Sequence, residues 1–175
     1  MSVRALAPAD AAAFQSLRLQ GLRECPTAFA SSFEEECDIA LPVVAERLQH
    51  RHDRAVFGAF QGDELVGLVG LKRQEPRKLS HKAYVWGMYV APAVRKQGVG
   101  RRLMARALSV ALSELQVRQV NLCANADNQA AIALYERMGF KAFGREPSFM
   151  LVDGVPQDEI QMVCFLPAAG MKSPT

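Results

Sequence analysis

The segment KAYVWGMYVAPAVRKQGVGRRLMARALSVALSEL, residues 82–115, sets the architecture that the rest of the chain must accommodate. Its first nine residues are rich in aromatic and β-branched types and predict a strand. From Val99 onward, Leu103, Ala107, Ala111 and Leu115 form one helical stripe, with Met104, Leu108 and Leu112 beside it. That periodicity predicts an amphipathic helix over residues 99–115. Between strand and helix lies RKQGVGRRL, which places Gly98 and Gly100 at the helix mouth among Arg95, Lys96, Arg101 and Arg102. A buried strand, a glycine turn and a long helix in direct succession imply an α/β domain built on a central sheet.

Glycine lets backbone amides approach a ligand closely and accepts left-handed φ. The first turn of a helix leaves N–H groups without intrahelical partners and carries partial positive charge, so it suits phosphate oxygens. The four basic residues add local cations. The plain alternative is a glycine-containing helix entrance with solvated arginines. Two other phosphate motifs are excluded: GxxxxGK[ST] does not occur, and Leu103 stands where a dinucleotide fingerprint needs its third glycine.

The remaining chain fits one domain of 175 residues, long enough to bury about two-thirds of its unfolded surface. Half of the residues are hydrophobic and the net charge is +3, a globular composition that does not by itself imply nucleic acid. Arg101, Arg102 and Arg106, without interleaved aromatics, read as a solvated helix face. No apolar run reaches the roughly 20 residues that span a bilayer, and the N-terminus lacks a signal-peptide core, so the expectation is a cytoplasmic protein with no membrane partner. Cys25, Cys37, Cys123 and Cys164 have no CxxC spacing and read as reduced thiols. His50 and His52 sit in a polar turn without nearby cysteines or further histidines, so no metal site is expected.

Along the chain, residues 3–6 predict a strand, followed by a helix that Asp10 can cap. Ser32 stands three residues before Glu35, a capping-box spacing, and predicts a second helix broken or kinked at Pro42 and running towards His50. AVFGAF and LVGLVGLKR flank a QGDE hairpin turn. QVNLCA predicts a strand, QAAIALYERM a helix stopped by Gly139, and GFKAFG with EIQMVCFL a final hairpin through VDG. The resulting order is β-α-α-β-β-β-α-β-α-β-β.

The strand ending in Tyr89-Val90, the glycine turn and the long helix resemble motif A of the GNAT acetyltransferases. NQAAIALYERMGF is similar to that family's C-terminal motif, with Asn128, Ala131, Leu134, Tyr135, Gly139 and Phe140 in place. The resemblance is specific from about residue 83 to 143. It implies a single-domain GNAT-like α/β fold, a mixed central sheet with helices on both faces, over residues 1–167, with 168–175 a frayed tail. It also implies an N-acetyltransferase that uses acetyl-CoA as acyl donor. The strand through Met88, Tyr89 and Val90 would offer backbone groups to the pantetheine arm. The amides around Gln97, Gly98, Val99, Gly100 and Arg101, with Arg95 and Lys96, would hold the pyrophosphate. The sheet would splay between YVWGMYV and QVNLCA so that the thioester meets its acceptor.

Tyr135 matches the family tyrosine that protonates the departing CoA sulfur; it also shares a helical face with Ala131, Leu134 and Met138, which suits core packing. Asn128 suits a helix cap and a cofactor contact alike. No glutamate stands on either central strand: Tyr84, Trp86 and Met88 alternate along one face of the first, and Asn121, Cys123 and Asn125 along the second. Glu34, Glu35 and Glu36 are candidates for a base but equally form a dipole-matched first helical turn, so no base is assigned. Phe29, Phe33, Tyr84 and Trp86 are candidates to line the site of an amine-bearing acceptor, small molecule or peptide. The family's frequent dimerisation makes the final hairpin a candidate contact. A non-catalytic acyl-CoA sensor is the rival reading; it would keep the glycine turn and dispense with Tyr135.

Overall fold

A computed structural model of the chain describes residues 1–167; the tail at 168–175, expected to fray, lies outside the described residues. Seven strands form one sheet: β1 (Ser2–Ala5), β2 (Arg54–Gln61), β3 (Glu64–Arg73), β4 (Lys82–Val90), β5 (Gln119–Asn125), β6 (Lys141–Val152) and β7 (Val155–Phe165). Their order is β1-β2-β3-β4-β5-β7-β6, and only the β4–β5 pair is parallel. Five α-helices complete the domain: α1 (Ala11–Glu24), α2 (Phe33–Glu36), α3 (Leu41–Arg47), α4 (Val99–Ser113) and α5 (Gln129–Arg137). No described helix is long and apolar enough to cross a membrane.

The sheet separates two cores. On one face α4 buries Val99, Leu103, Met104, Ala107, Val110 and Ala111 against Phe57, Val69, Leu71 and Val85. Full burial of each larger aliphatic side chain contributes about 1.5–3 kcal/mol, which fixes this helix firmly on the sheet. Val110, outside the stripe read from sequence, is buried, while Leu108 and Leu112 lie at its margin. On the other face α1 and α3 bring Phe14, Leu17, Leu22 and Val44 onto Leu68 and Tyr89.

Local signals account for most elements. The β2–β3 hairpin closes at Gln61↔Glu64 with Gly62 at φ 61, and the β6–β7 hairpin turns through Asp153 and Gly154, both left-handed. Ser32 Oγ accepts from Glu35 N, and the Glu35 carboxylate accepts from Ser32 N, completing the expected capping box. One expectation is corrected. Asp10 does not cap α1 with its side chain. Its carboxylate instead accepts from Ala7 N and pairs with Arg4 at 2.7 Å, holding the 3-10 turn that precedes the helix. At Pro42 the segment is broken rather than kinked: Pro42 stands in the first turn of a separate helix, α3, where its missing N–H costs no hydrogen bond.

Candidate active site

β4 and β5 pair only from Lys82↔Gln119 to Tyr84↔Asn121 and then part. Beyond residue 84 the facing backbone edges have no sheet partner in each other, and a cleft of about 690 Å³ opens between them. Just there β4 bulges: Gly87 has φ 64, and the register against β3 jumps from Gly70↔Trp86 to Leu68↔Tyr89. An inserted residue reverses the side-chain alternation. Tyr84 and Trp86 therefore share one face, with Trp86 against the α1-side core, while Met88 and Val90 pack on the α4 side. This corrects the expectation that Met88 continues the face of Tyr84 and Trp86. The indole of Trp86 lies over Gly70, where a Cβ would stand 2.1 Å from Trp86 Cε2, so only glycine leaves room for it.

The glycine turn enters the same cleft. Lys96 (φ 62) and Gly98 (φ 77) are both left-handed, a conformation that costs a non-glycine residue about 1–2 kcal/mol. Gly98 is the N-cap of α4 and no side chain caps that end. The first amide to find an acceptor in the helix is Arg102 N, on Gly98 O at 3.1 Å, so the amides of Val99, Gly100 and Arg101 have no intrahelical partner. The two glycines are required for different reasons. A Cβ on Gly98 would meet nothing within 4 Å, so its demand is the backbone angle alone. A Cβ on Gly100 would lie 3.0 Å from Leu134 Cδ2 and 3.2 Å from Met88 Cε, so its demand is close packing of α4 on α5 and β4.

Arg95, Lys96, Arg101 and Arg137 line the cleft, and among the described residues no carboxylate lines it. Arg95 is held back by its own contacts. Its Nε donates to Val90 O at 2.9 Å and its Nη2 lies 3.5 Å from Glu24 Oε2. Glu24 also accepts from the Tyr89 hydroxyl at 2.6 Å. Burial, and then the bond to Glu24, push the Tyr89 phenol far above its usual range. The Tyr89 ring thus belongs to the α1-side core and packs on Gly21, where a Cβ would sit 3.0 Å away.

At the other end stands Tyr135, the one buried residue of α5, with its ring 6.1 Å from that of Phe140. It lines the cleft, and burial alone pushes its phenol up to about 12, so the hydroxyl carries its proton throughout the neutral range. Asn128 caps α5, its Oδ1 accepting from Ala131 N at 3.1 Å, and it too lines the cleft.

Phe29 and Trp86 border the same space, whereas three other expected residues do not. Gln97 turns its amide to Ala93 O at 3.2 Å. Phe33 lies beneath Arg23, whose guanidinium is 3.8 Å from the ring centroid. Tyr84 lines a neighbouring hollow of about 380 Å³ that shares Trp86 with the main cleft. Of the acidic run, Glu35 is held in the capping box and Glu36 pairs with Arg18 at 2.8 Å. Burial raises Glu36, but the hydrogen bond and charge of Arg18 outweigh it and hold the carboxyl below its usual value, which disqualifies it as a base near neutral pH. The cleft is also lined by Cys123 and Asn125, which sequence reasoning put on one strand face without a role, and by Arg137, two places after Tyr135, which it passed over. Glu159 on β7 was also missed: it is only 7% exposed, and its Oε2 has no hydrogen-bond partner.

The acetyltransferase (GNAT) family profile matches residues 19–140, well over half of the chain. Among individual relatives, mycothiol acetyltransferase of Brachybacterium faecium is 35% identical over 88 residues, 50% of this chain and 26% of that protein. The N-alpha-acetyltransferase RimI of Mycobacterium tuberculosis is 35% identical over 105 residues, 60% of this chain and 61% of that one. The chain therefore spans less than two-thirds of either relative. The Salmonella typhimurium protein yncA, solved with its cofactor acetyl-CoA, superposes with a TM-score of 0.79 at 18% identity, covering 100% of this chain and 99% of its own. The parted strands, the bulge and the glycine-mouthed helix lie within the matched span, and the chain belongs to the GNAT acetyltransferase family.

Proposed function

We propose that this protein transfers an acetyl group from the thioester of acetyl-CoA directly to a primary amine, with Tyr135 as the general acid. The observation that carries the reading is one cleft with two complementary ends: the uncapped N-terminus of α4 among Arg95, Lys96 and Arg101, and the protonated phenol of Tyr135. The first end suits a pyrophosphate, since hydrogen bonds from amides and guanidinium groups to charged oxygens contribute about 1.5–3 kcal/mol each. The residues present fit the cofactor: amides at 97–101 for the phosphates, the unpaired edge of β4 near Met88, Tyr89 and Val90 for the pantetheine arm, and Asn128 beside it.

Acetyl-CoA supplies the activated acyl carbon. The chain's own residues do the rest. The bulge at Gly87 exposes β4 backbone at the place where the strands part, and Tyr135 holds a proton ready for the leaving sulfur. Phe29 and Trp86 wall the space on the α1 side, where the acceptor enters. On the last hairpin Phe143, Leu151, Val155 and Phe165 are exposed, which supports a homodimer through this edge of the sheet; light scattering on the purified protein tests it.

The test of activity is thiol release from acetyl-CoA with a panel of amines, run beside calorimetric binding of CoA. Binding with turnover supports the reading. Binding with no turnover on any amine favours the acyl-CoA sensor. No binding overturns both.

A further inference from the structure

The face of the sheet away from α4 holds a carboxylate that the reading above does not use. On β5, Val120, Leu122 and Ala124 join the α4-side core, so Asn121, Cys123 and Asn125 point the other way. On β7, Ile160, Met162 and Cys164 join that core, so Glu159 points the other way as well. Glu159 and Asn125 are direct cross-strand partners, and Asn125 lines the cleft. Before the Gly87 bulge, Tyr84 and Trp86 look out on this same face. Asn125, Cys123 and Trp86 line the opening between β4 and β5, with Tyr135; Tyr84 lines the neighbouring hollow, and Glu159 stands one strand further out, beside Asn125 on the same face.

The setting of Glu159 is unusual for an acid. It is only 7% exposed, no described residue forms an ion pair with it, and its Oε2 lacks a donor among the described residues. Its cross-strand partners are Asn125 on β5 and another acid, Glu146, on β6, neither of them a cation, and Asn125 gives its Nδ2 to Gln157 at 3.1 Å. Burial holds the Glu159 carboxyl above its ordinary value, and its charge in turn helps burial to push Tyr84 up to about 12. An orphaned buried carboxylate beside a reaction cleft awaits a donor.

We infer that Glu159 binds the ammonium group of the acceptor and takes its proton, so that the acceptor is an amine cationic in solution. This rests on the acyl-transfer reading. In the step, R–NH₃⁺ gives one proton to Glu159, which later returns it to water. The neutral nitrogen then forms the C–N bond to the thioester carbon. As the C–S bond breaks, Tyr135 protonates the sulfur, and the remaining surplus N–H proton restores Tyr135. The products are the amide, CoA thiol and one proton in solution. Glu159 thus serves the attacking nitrogen and Tyr135 the departing sulfur.

The experiment compares the wild type with Glu159→Gln on spermidine, an alanyl tripeptide and phenylethylamine, following thiol release and calorimetric CoA binding. The expected result is a loss of about 10²–10⁴-fold in kcat/KM with CoA affinity unchanged. A Gln variant as active as the wild type overturns the assignment. If that variant does not fold, the wild type decides: the alcohol with the skeleton of the best amine, used as an inhibitor, must bind at least tenfold more weakly than the amine, and equal binding overturns the proposal. A wild type that binds CoA and acetylates none of the three overturns the acyl-transfer reading itself, and the inference with it.

Discussion

The Tyr89 hydroxyl donates a 2.6 Å hydrogen bond to Glu24 Oε2, tying the last residue of α1 to the strand that feeds the glycine turn. The same carboxylate faces Arg95, so helix, strand and turn meet at one acid. Hydrogen bonds to charged groups contribute about 1.5–3 kcal/mol when shielded, but the Glu24 side chain is 35% exposed and can be resolvated. Tyr89→Phe keeps the buried ring and loses only this bond. The expected cost is about 1 kcal/mol, read as a fall of about 2–4 °C in Tm for a chain of this size.

Gly98 and Gly100 separate backbone conformation from ligand binding. Gly98→Ala introduces a side chain into open space at φ 77 and is expected to cost about 1–2 kcal/mol of stability while CoA still binds. Gly98→Glu carries the same strain and also puts a carboxylate among the amides proposed to hold the pyrophosphate, so it should fold and lose CoA binding. Calorimetry on the two variants checks this; equal CoA affinity in both would reject the placement of the pyrophosphate.

Tyr135→Phe retains the ring that packs on Phe140, so thermal unfolding should be nearly unchanged. Removing the general acid is expected to lower the rate by about 10²–10⁴-fold with CoA affinity intact. Because burial pushes the phenol up to about 12, the wild type should show no loss of activity from this group as pH rises through 7 to 10. A folded Phe variant with wild-type turnover would return Tyr135 to packing alone.

The Arg18–Glu36 pair predicts how acid destabilises the fold. Both side chains are largely buried, 7% and 13% exposed, and the pair joins α1 to α2 beside Phe29 of the cleft wall. The Glu36 carboxyl sits below its ordinary value of 4.5 in the folded state. Its contribution is therefore complete above that value and fades as pH falls through the lower folded value. Glu36→Ala leaves Arg18 buried without its counter-charge and is expected to cost about 3 kcal/mol at pH 7. Urea unfolding from pH 7 to 3 should show a steeper acid loss for the wild type than for the variant.

Much of this protein is written locally. The stripe of α4, the capping box of Ser32 and Glu35, the hairpin turns at Gly62 and Gly154 and the glycines at the mouth of α4 each depend on residues within a few positions of one another. Local chemistry suffices to specify them, and the cluster of Gly98, Gly100 and their basic neighbours is visible on the same terms. Asp10 and Pro42 show the limit even there, since a capping residue type cannot say whether its side chain will find a helix amide or, as here, Arg4.

The rest depends on neighbours far apart in the chain. Gly87 looks like any strand glycine until β3 pairs across it; the register jump between Leu68 and Gly70 then turns Met88 away from Trp86 and opens the site. Arg18 and Glu36 meet across 18 positions, and Glu159 is brought beside Asn125 by the pairing of β7 with β5. The sequence by itself settled which residues could form strands and helix mouths, because those are properties of short segments. Which face each side chain occupies, which charges are left without partners and where the sheet parts were set by folding, because strand register and burial are properties of the assembled sheet.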